Sequence, residues 1–190
     1  MRTEVLWNQL VGGGSEHLTL KQHGNIEADG LAVGVLENAV YRIRYHILCD
    51  ADWNVQSVAA TNLTDNRNFA LARNIDIWLD DQNRAVKELH GCSDVDIMVT
   101  PFTNTLPIKR LHLAPGASKE ISVVYVSAPD LSLSRFEQRY TCLSQDTTGG
   151  VYKYESLKSG FTAELKIDAD GLVVDYPGVF KLAWKKVYTD

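Results

Sequence analysis

The chain has 190 residues, 45% of them hydrophobic and 23% charged, with a formal net charge of −5. That length suits one folding unit with a sizeable core, and the hydrophobic share argues against a disordered chain. The acidic balance argues against a dedicated nucleic-acid binder and against a general binder of anionic membranes, because both need a clustered excess of cations.

Read from the N-terminus, Met1 to Leu10 holds no apolar run long enough for a signal sequence. No stretch approaches the ~20 apolar residues of a membrane-spanning helix. Gly12, Gly13 and Gly14 read as a flexible connection and lack the Lys-Ser/Thr that a phosphate loop needs. The three cysteines, Cys49, Cys92 and Cys142, are odd in number and far apart, which suits reduced thiols. A cytoplasmic location is expected.

Period-2 alternation then recurs to the end of the chain. Candidate strands are 16–21, 26–36, 39–49, 53–60, 75–79, 94–99, 120–126, 139–143, 151–155, 161–168, 172–175 and 179–187. In 39–49, Tyr41, Ile43, Tyr45, Ile47 and Cys49 form an apolar-aromatic face, opposite Val40, Arg42, Arg44, His46 and Leu48. Trp78 faces opposite to Ile75, Ile77 and Leu79. Large side chains on both faces imply that the second face of some strands is covered by a loop or a subunit, or lines a cavity. Residues 131–140 fit either one short helix or a strand. Turn clusters separate the strands, among them Asn62 to Asn66, Asp80 to Asn83, Pro115-Gly116 and Asp168 to Gly171. The pattern predicts an all-β, mainly antiparallel fold with little helix. One sheet, curled into a barrel or half-barrel to manage its edges, forms a single domain over 1–190 and leaves room for a ligand inside.

Asp94 and Asp96 fall on one strand face, with Cys92 at the same parity and His90 just before. Such a pair either holds a cation, serves as acid and base in a hydrolase-type reaction, or is bonded to neighbouring Arg, Thr and backbone groups. No CxxC, HxxxH or HExxH spacing accompanies it, and no Gly-x-Ser-x-Gly elbow occurs, so no metal, cofactor or catalytic residue is assigned. The strand stops at Thr100-Pro101 and passes through Phe102, Thr103, Asn104 and Thr105 to Pro107, reading as a stiff loop. Its hydroxyls and amide beside a ring either recognise a sugar-like group or cap their own backbone. Tyr41, Tyr45, Tyr140, Tyr152 and Tyr154, with Trp53 and Trp78, carry an apolar body and a polar tip, which suits the wall of an amphiphile pocket and equally a packed core.

Residues 91–111, read Gly-Cys-Ser-Asp-Val-Asp-Ile-Met-Val-Thr-Pro-Phe-Thr-Asn-Thr-Leu-Pro-Ile-Lys-Arg-Leu, resemble the central motif of a bacterial glycolipid-binding family, formerly a domain of unknown function. Tyr41 to Tyr45 with Cys49 to Trp53, Gln138 to Thr141, and Asp168 to Phe180 agree with it, so the resemblance spans nearly the whole chain. It implies one antiparallel β domain curled into a barrel or half-barrel, distantly like the lipoprotein localisation factors. It also implies non-catalytic binding of a glycolipid or lipid-like molecule in an apolar cavity with a polar mouth. On that reading the acyl chains meet the aromatic walls, and the head group meets Arg42, Arg44, Asp94, Asp96, Thr103, Asn104 and Arg110. A homodimer, in which second apolar faces pack on a partner copy, is the competing interaction reading.

Overall fold

The computed structural model describes residues 1–189. Seven strands run in chain order from the N-terminus: β1 (Arg2–Gln9), β2 (Gly14–His23), β3 (Asn25–Leu36), β4 (Ala39–Cys49), β5 (Val55–Asn62), β6 (Asn68–Asn74) and β7 (Ile77–Leu79). A short 3₁₀ turn, Lys87–Leu89, leads to β8 (Asp94–Ile97) and helix α1 (Phe102–Leu111). Six more strands follow: β9 (Ser118–Val126), β10 (Leu133–Asp146), β11 (Gly149–Ser156), β12 (Thr162–Asp168), β13 (Val173–Tyr176) and β14 (Phe180–Tyr188).

All fourteen strands belong to one sheet, ordered β7-β6-β5-β4-β3-β2-β1-β14-β13-β12-β11-β10-β9-β8. Its pairs are antiparallel except β8–β9, which is parallel. The sheet is curled but not closed. Its two edges, β7 and β8, are only three and four residues long, which limits the unpaired backbone that an edge exposes. The segment before β8 ties the edges together. Trp78 Nε1 donates to the Cys92 carbonyl (3.0 Å), Gly91 N to the Asp76 carbonyl (3.0 Å), and an Arg73 guanidinium nitrogen to the Ser93 carbonyl (3.0 Å).

Alternation sets the two faces. On β4, Tyr41, Ile43, Tyr45, Ile47 and Cys49 are all buried, and Arg42 and Arg44 point outward. Trp78 is buried, and Ile75 and Ile77 are exposed. On the convex side no loop of the chain covers Val40, which is 61% exposed. β1 and β6 lie outside the candidate strands. The adjacent Leu6 and Trp7 blur the alternation of one, and Asn68 and Asn74 close both ends of the other. Residues 131–140 resolve as strand, within and just before β10. The glycine run is a tight turn and not a flexible link: Gly12 adopts φ +75°, and a Cβ there would stand 2.2 Å from the Val35 carbonyl oxygen.

The largest departure is at residues 102–111, which form a helix where a stiff loop was expected. Thr, Asn and Pro are poor helix formers, and Pro107 cannot donate to the carbonyl one turn back. Tertiary burial overrides that. Every residue from Phe102 to Ile108 is buried, because α1 threads the inside of the curled sheet. Burying Phe102, Leu106 and Ile108, at roughly 1.5–3 kcal/mol each, outweighs the ~3 kcal/mol that a proline costs in a helix interior. The Thr100 hydroxyl accepts from Phe102 N (3.0 Å) and satisfies one of the free first-turn donors. The helix divides the interior in two. Phe102 and Leu106 pack into a core built mainly on β1–β8, and Ile108 packs into a second core on β9–β14.

Candidate ligand cavity

Between the first turns of α1 and strands β8–β14 a cavity of about 320 Å³ remains, at the low end of the ~300–1,000 Å³ usual for ligand pockets. Its floor is polar. Asp96 arrives from β8, Thr100 from just before α1, and Asn104 from its first turn. Its walls are aromatic: Tyr125 from β9, Phe136 from β10, Tyr154 from β11, Tyr176 from β13 and Phe180 from β14. Met98 and Phe161, 39% and 43% exposed, stand at the opening. Polar and aromatic groups therefore share the lining, with Ser156 and Ser159 on the side of Phe161. Thr100 and the first turn of α1 bring polar groups into the space, and the turn 157–161 brings both Phe161 and Ser159.

The floor groups are held in place. The Asp96 carboxylate accepts from Gln138 Nε2 (2.6 Å) and from the Thr103 hydroxyl (3.1 Å). Burial raises its pKa above the ordinary aspartate value, and those two hydrogen bonds act against the rise. Gln138 Nε2 also reaches the Tyr154 hydroxyl (3.1 Å). The Asn104 Oδ1 accepts from the Tyr140 hydroxyl (2.9 Å), and its Nδ2 donates to the Pro101 carbonyl (3.3 Å). The wall rings support each other. Tyr125 stacks on Phe136 at 4.2 Å, and Tyr154 meets Tyr140, Tyr176 and Phe161 at 5.4, 6.3 and 6.2 Å between ring centres. Burial pushes the Tyr125 phenol up to about 12, and Tyr140, Tyr154 and Tyr176 are raised for the same reason, so these hydroxyls stay protonated donors.

A second buried carboxyl lies across α1. Glu16, on β2, receives the Thr100 hydroxyl (2.7 Å) and the Tyr45 hydroxyl on one oxygen; its other oxygen has no partner among the described residues. Burial pushes its pKa up to about 7, and the two hydrogen bonds pull it back down. Tyr45 reaches Glu16 by lying flat over Gly30, its partner on β3, where a Cβ would stand 2.2 Å from the ring. Tyr41 crosses Gly34 in the same way to bond Gln9.

The residues singled out in the sequence divide by position. Asp96, Asn104 and Tyr154 line the cavity; Thr103 and Tyr140 stand directly behind it. Asp94 shares the inner face of β8 with Asp96 but has different partners. Both its oxygens accept from Arg110 of α1, Nε at 3.1 Å, and Ser93 adds a hydroxyl at 2.7 Å. Asp94 and Asp96 therefore have separate hydrogen-bond partners, and neither Asp94 nor Arg110 lines the cavity. Arg42 and Arg44 cannot meet a head group inside, since both face outward and Arg44 pairs with Asp29 (2.9 Å). Tyr41, Tyr45, Phe102 and Trp78 belong to the other core, and Trp78 spends its N–H on Cys92. Trp53 precedes β5 with φ +66° and lies under the Lys109 ammonium, 5.7 Å from the ring centre. Tyr152 bonds Gln145 (3.0 Å) at the opposite end of the helix. Cys92 is buried, its thiol pushed up to about 11 by burial, and among the described residues no cluster of three or more His, Cys, Asp and Glu is placed to hold a metal ion.

Glu16 and Gln138 carried a readable signal. Glu16 shares parity with Leu18 and Leu20, and Gln138 with Tyr140 and Cys142, so each is a polar residue on an apolar face. Tyr125, Phe136, Tyr176 and Phe180 gave none, because an aromatic residue in a strand looks the same whether it packs or lines a space.

A family model described as "putative glycolipid-binding" matches residues 4–181. The crystal structure of a DUF1089 family protein from Pseudomonas aeruginosa is similar at 35% sequence identity, with a TM-score of 0.77 over 87% of this chain and 91% of that one. No curated protein matches the chain.

Proposed function

The chain belongs to that glycolipid-binding family, and from this premise we propose that it binds an amphiphile with a sugar-like head group and does not transform it. The observation that carries this reading is the composition of the cavity: a carboxylate, an amide and hydroxyls at the floor, ringed by aromatic side chains. Sugars present hydroxyls at their edges and C–H groups on their faces, so they need hydrogen-bond partners and rings together. At about 320 Å³ the space takes one sugar-sized group. The hydrocarbon part then leaves past Met98 and Phe161, where each methylene withdrawn from water contributes roughly 0.8 kcal/mol. Asp96 and Asn104 are the direct polar contacts; Thr103, Gln138 and Tyr140 hold them in position. The free, buried cysteines fit a reducing compartment such as the cytoplasm.

Calorimetric titration with n-octyl glucoside tests the reading, alongside native mass spectrometry of protein purified from its host. Saturable binding by the wild type, weakened about tenfold or more in Asp96→Asn with unchanged unfolding, is expected. Lack of both a co-purifying lipid and octyl glucoside binding would sink it.

A further inference from the structure

We propose that the rim around the cavity opening docks onto the surface of a lipid bilayer. The strand registers place seven turns at this end of the curled sheet: 10–13, 37–38, 63–67, 98–101, 127–132, 157–161 and 177–179. Leu10 N donates to Val179 O and joins two of these turns, while Val35 N to Gly13 O and Leu63 N to Arg42 O tie turns to β3 and β4. Of the large apolar side chains exposed among the described residues, half sit here. Leu10 and Val11 crown the first hairpin at 53% and 57% exposure. Val35 and Val40, cross-strand partners, flank the next. Leu63, Met98, Leu157 and Phe161 continue round the ring. The others are spread over the convex face and the opposite rim.

Three features select a bilayer as the occupant. The rim is continuous with the cavity, since Met98 and Phe161 belong to both. The apolar residues stand on separate turns, at one end of the molecule, round an opening. A protein groove needs a contiguous patch, whereas an interfacial lipid layer accepts several side chains at a common depth. The seven turns also carry only Glu37, Asp65, Arg67, Asp130 and Lys158, nearly balanced in sign, with Arg67 paired to Asp65. Attachment therefore comes from burial of the tips and not from anionic lipid. The inference extends the reading of the cavity as an amphiphile site, which requires a protein that meets its ligand at a membrane.

Flotation with vesicles of phosphatidylcholine alone, free of glycolipid, tests the rim apart from the cavity. The wild type floats with the vesicles to the same extent at low and high salt. Leu10→Ser/Val11→Ser/Leu63→Ser lowers partitioning about tenfold or more with circular dichroism unchanged. Ile75→Ser, at the opposite rim, and Asp96→Asn, on the cavity floor, float as the wild type does. A wild type that stays with the soluble fraction at millimolar lipid overturns the proposal. So does equal loss in Ile75→Ser, or a dimer in light scattering that the triple variant dissociates. Flotation without octyl glucoside binding supports docking and sinks only the cavity reading.

Discussion

Replacing Glu16 by Gln should remove most of the pH dependence of stability between pH 5 and pH 8. The folded protein holds this carboxyl at about 7, against an ordinary value of 4.5, because burial strips its hydration and leaves one oxygen without a partner among the described residues. As pH rises through that interval, the unfolded chain gives up the proton first. The folded state then binds more protons than the unfolded state, so stability falls with rising pH until both forms are ionised above pH 7. A displacement of about two and a half pH units corresponds to about 3 kcal/mol in full. Roughly 2–3 kcal/mol of it is expressed between pH 5 and pH 8. Urea unfolding followed by the fluorescence of the buried Trp7 and Trp78 should show the wild-type midpoint about 1 M higher at pH 5 than at pH 8, given a slope of roughly 2–3 kcal/mol per molar. Raised Asp96 acts in the same direction, and the salt-bridged acids Asp80 and Glu155, held below their ordinary values, cost stability only in stronger acid. The Gln variant should therefore lose most of this dependence and keep what Asp96 supplies. A Gln variant as pH-dependent as the wild type, or a wild type that gains stability towards pH 8, would refute the reasoning.

Arg110→Ala leaves Asp94 fully buried with Ser93 as its remaining side-chain partner, and an uncompensated buried charge typically costs ~3–5 kcal/mol; urea unfolding at pH 7 should show that loss, and a change below 1 kcal/mol would show that the pair is solvated. Gly30→Ala sets a methyl group 2.2 Å from the Tyr45 ring, so the ring must lift off Glu16; destabilisation of about 1–3 kcal/mol is expected, with the pH dependence assigned to Glu16 altered in the same titration. A fully stable Gly30→Ala protein with unchanged pH dependence would show that Tyr45 is free to move.

Local periodicity determined much of this protein. A strand's two faces alternate whatever lies on either side, so the inward row Tyr41, Ile43, Tyr45, Ile47 and Cys49 could be read before any coordinates, as could the all-β class and the curl of the sheet. The signature around Asp94 to Arg110 likewise carried the family. Tertiary structure decided what occupies the inside. Residues 102–111 have neither the propensity nor the periodicity of a helix, and become one because the sheet curls around them and every backbone group withdrawn from water needs a partner. That single placement moved Asn104 and Thr103 from a supposed exposed loop to the bottom of a cavity and drew Asp94 away from Asp96 to Arg110. Just before the helix, Thr100 meets Glu16 from a strand 84 residues away. Such meetings depend on which distant strands share an interior, and short-range pattern holds no record of that.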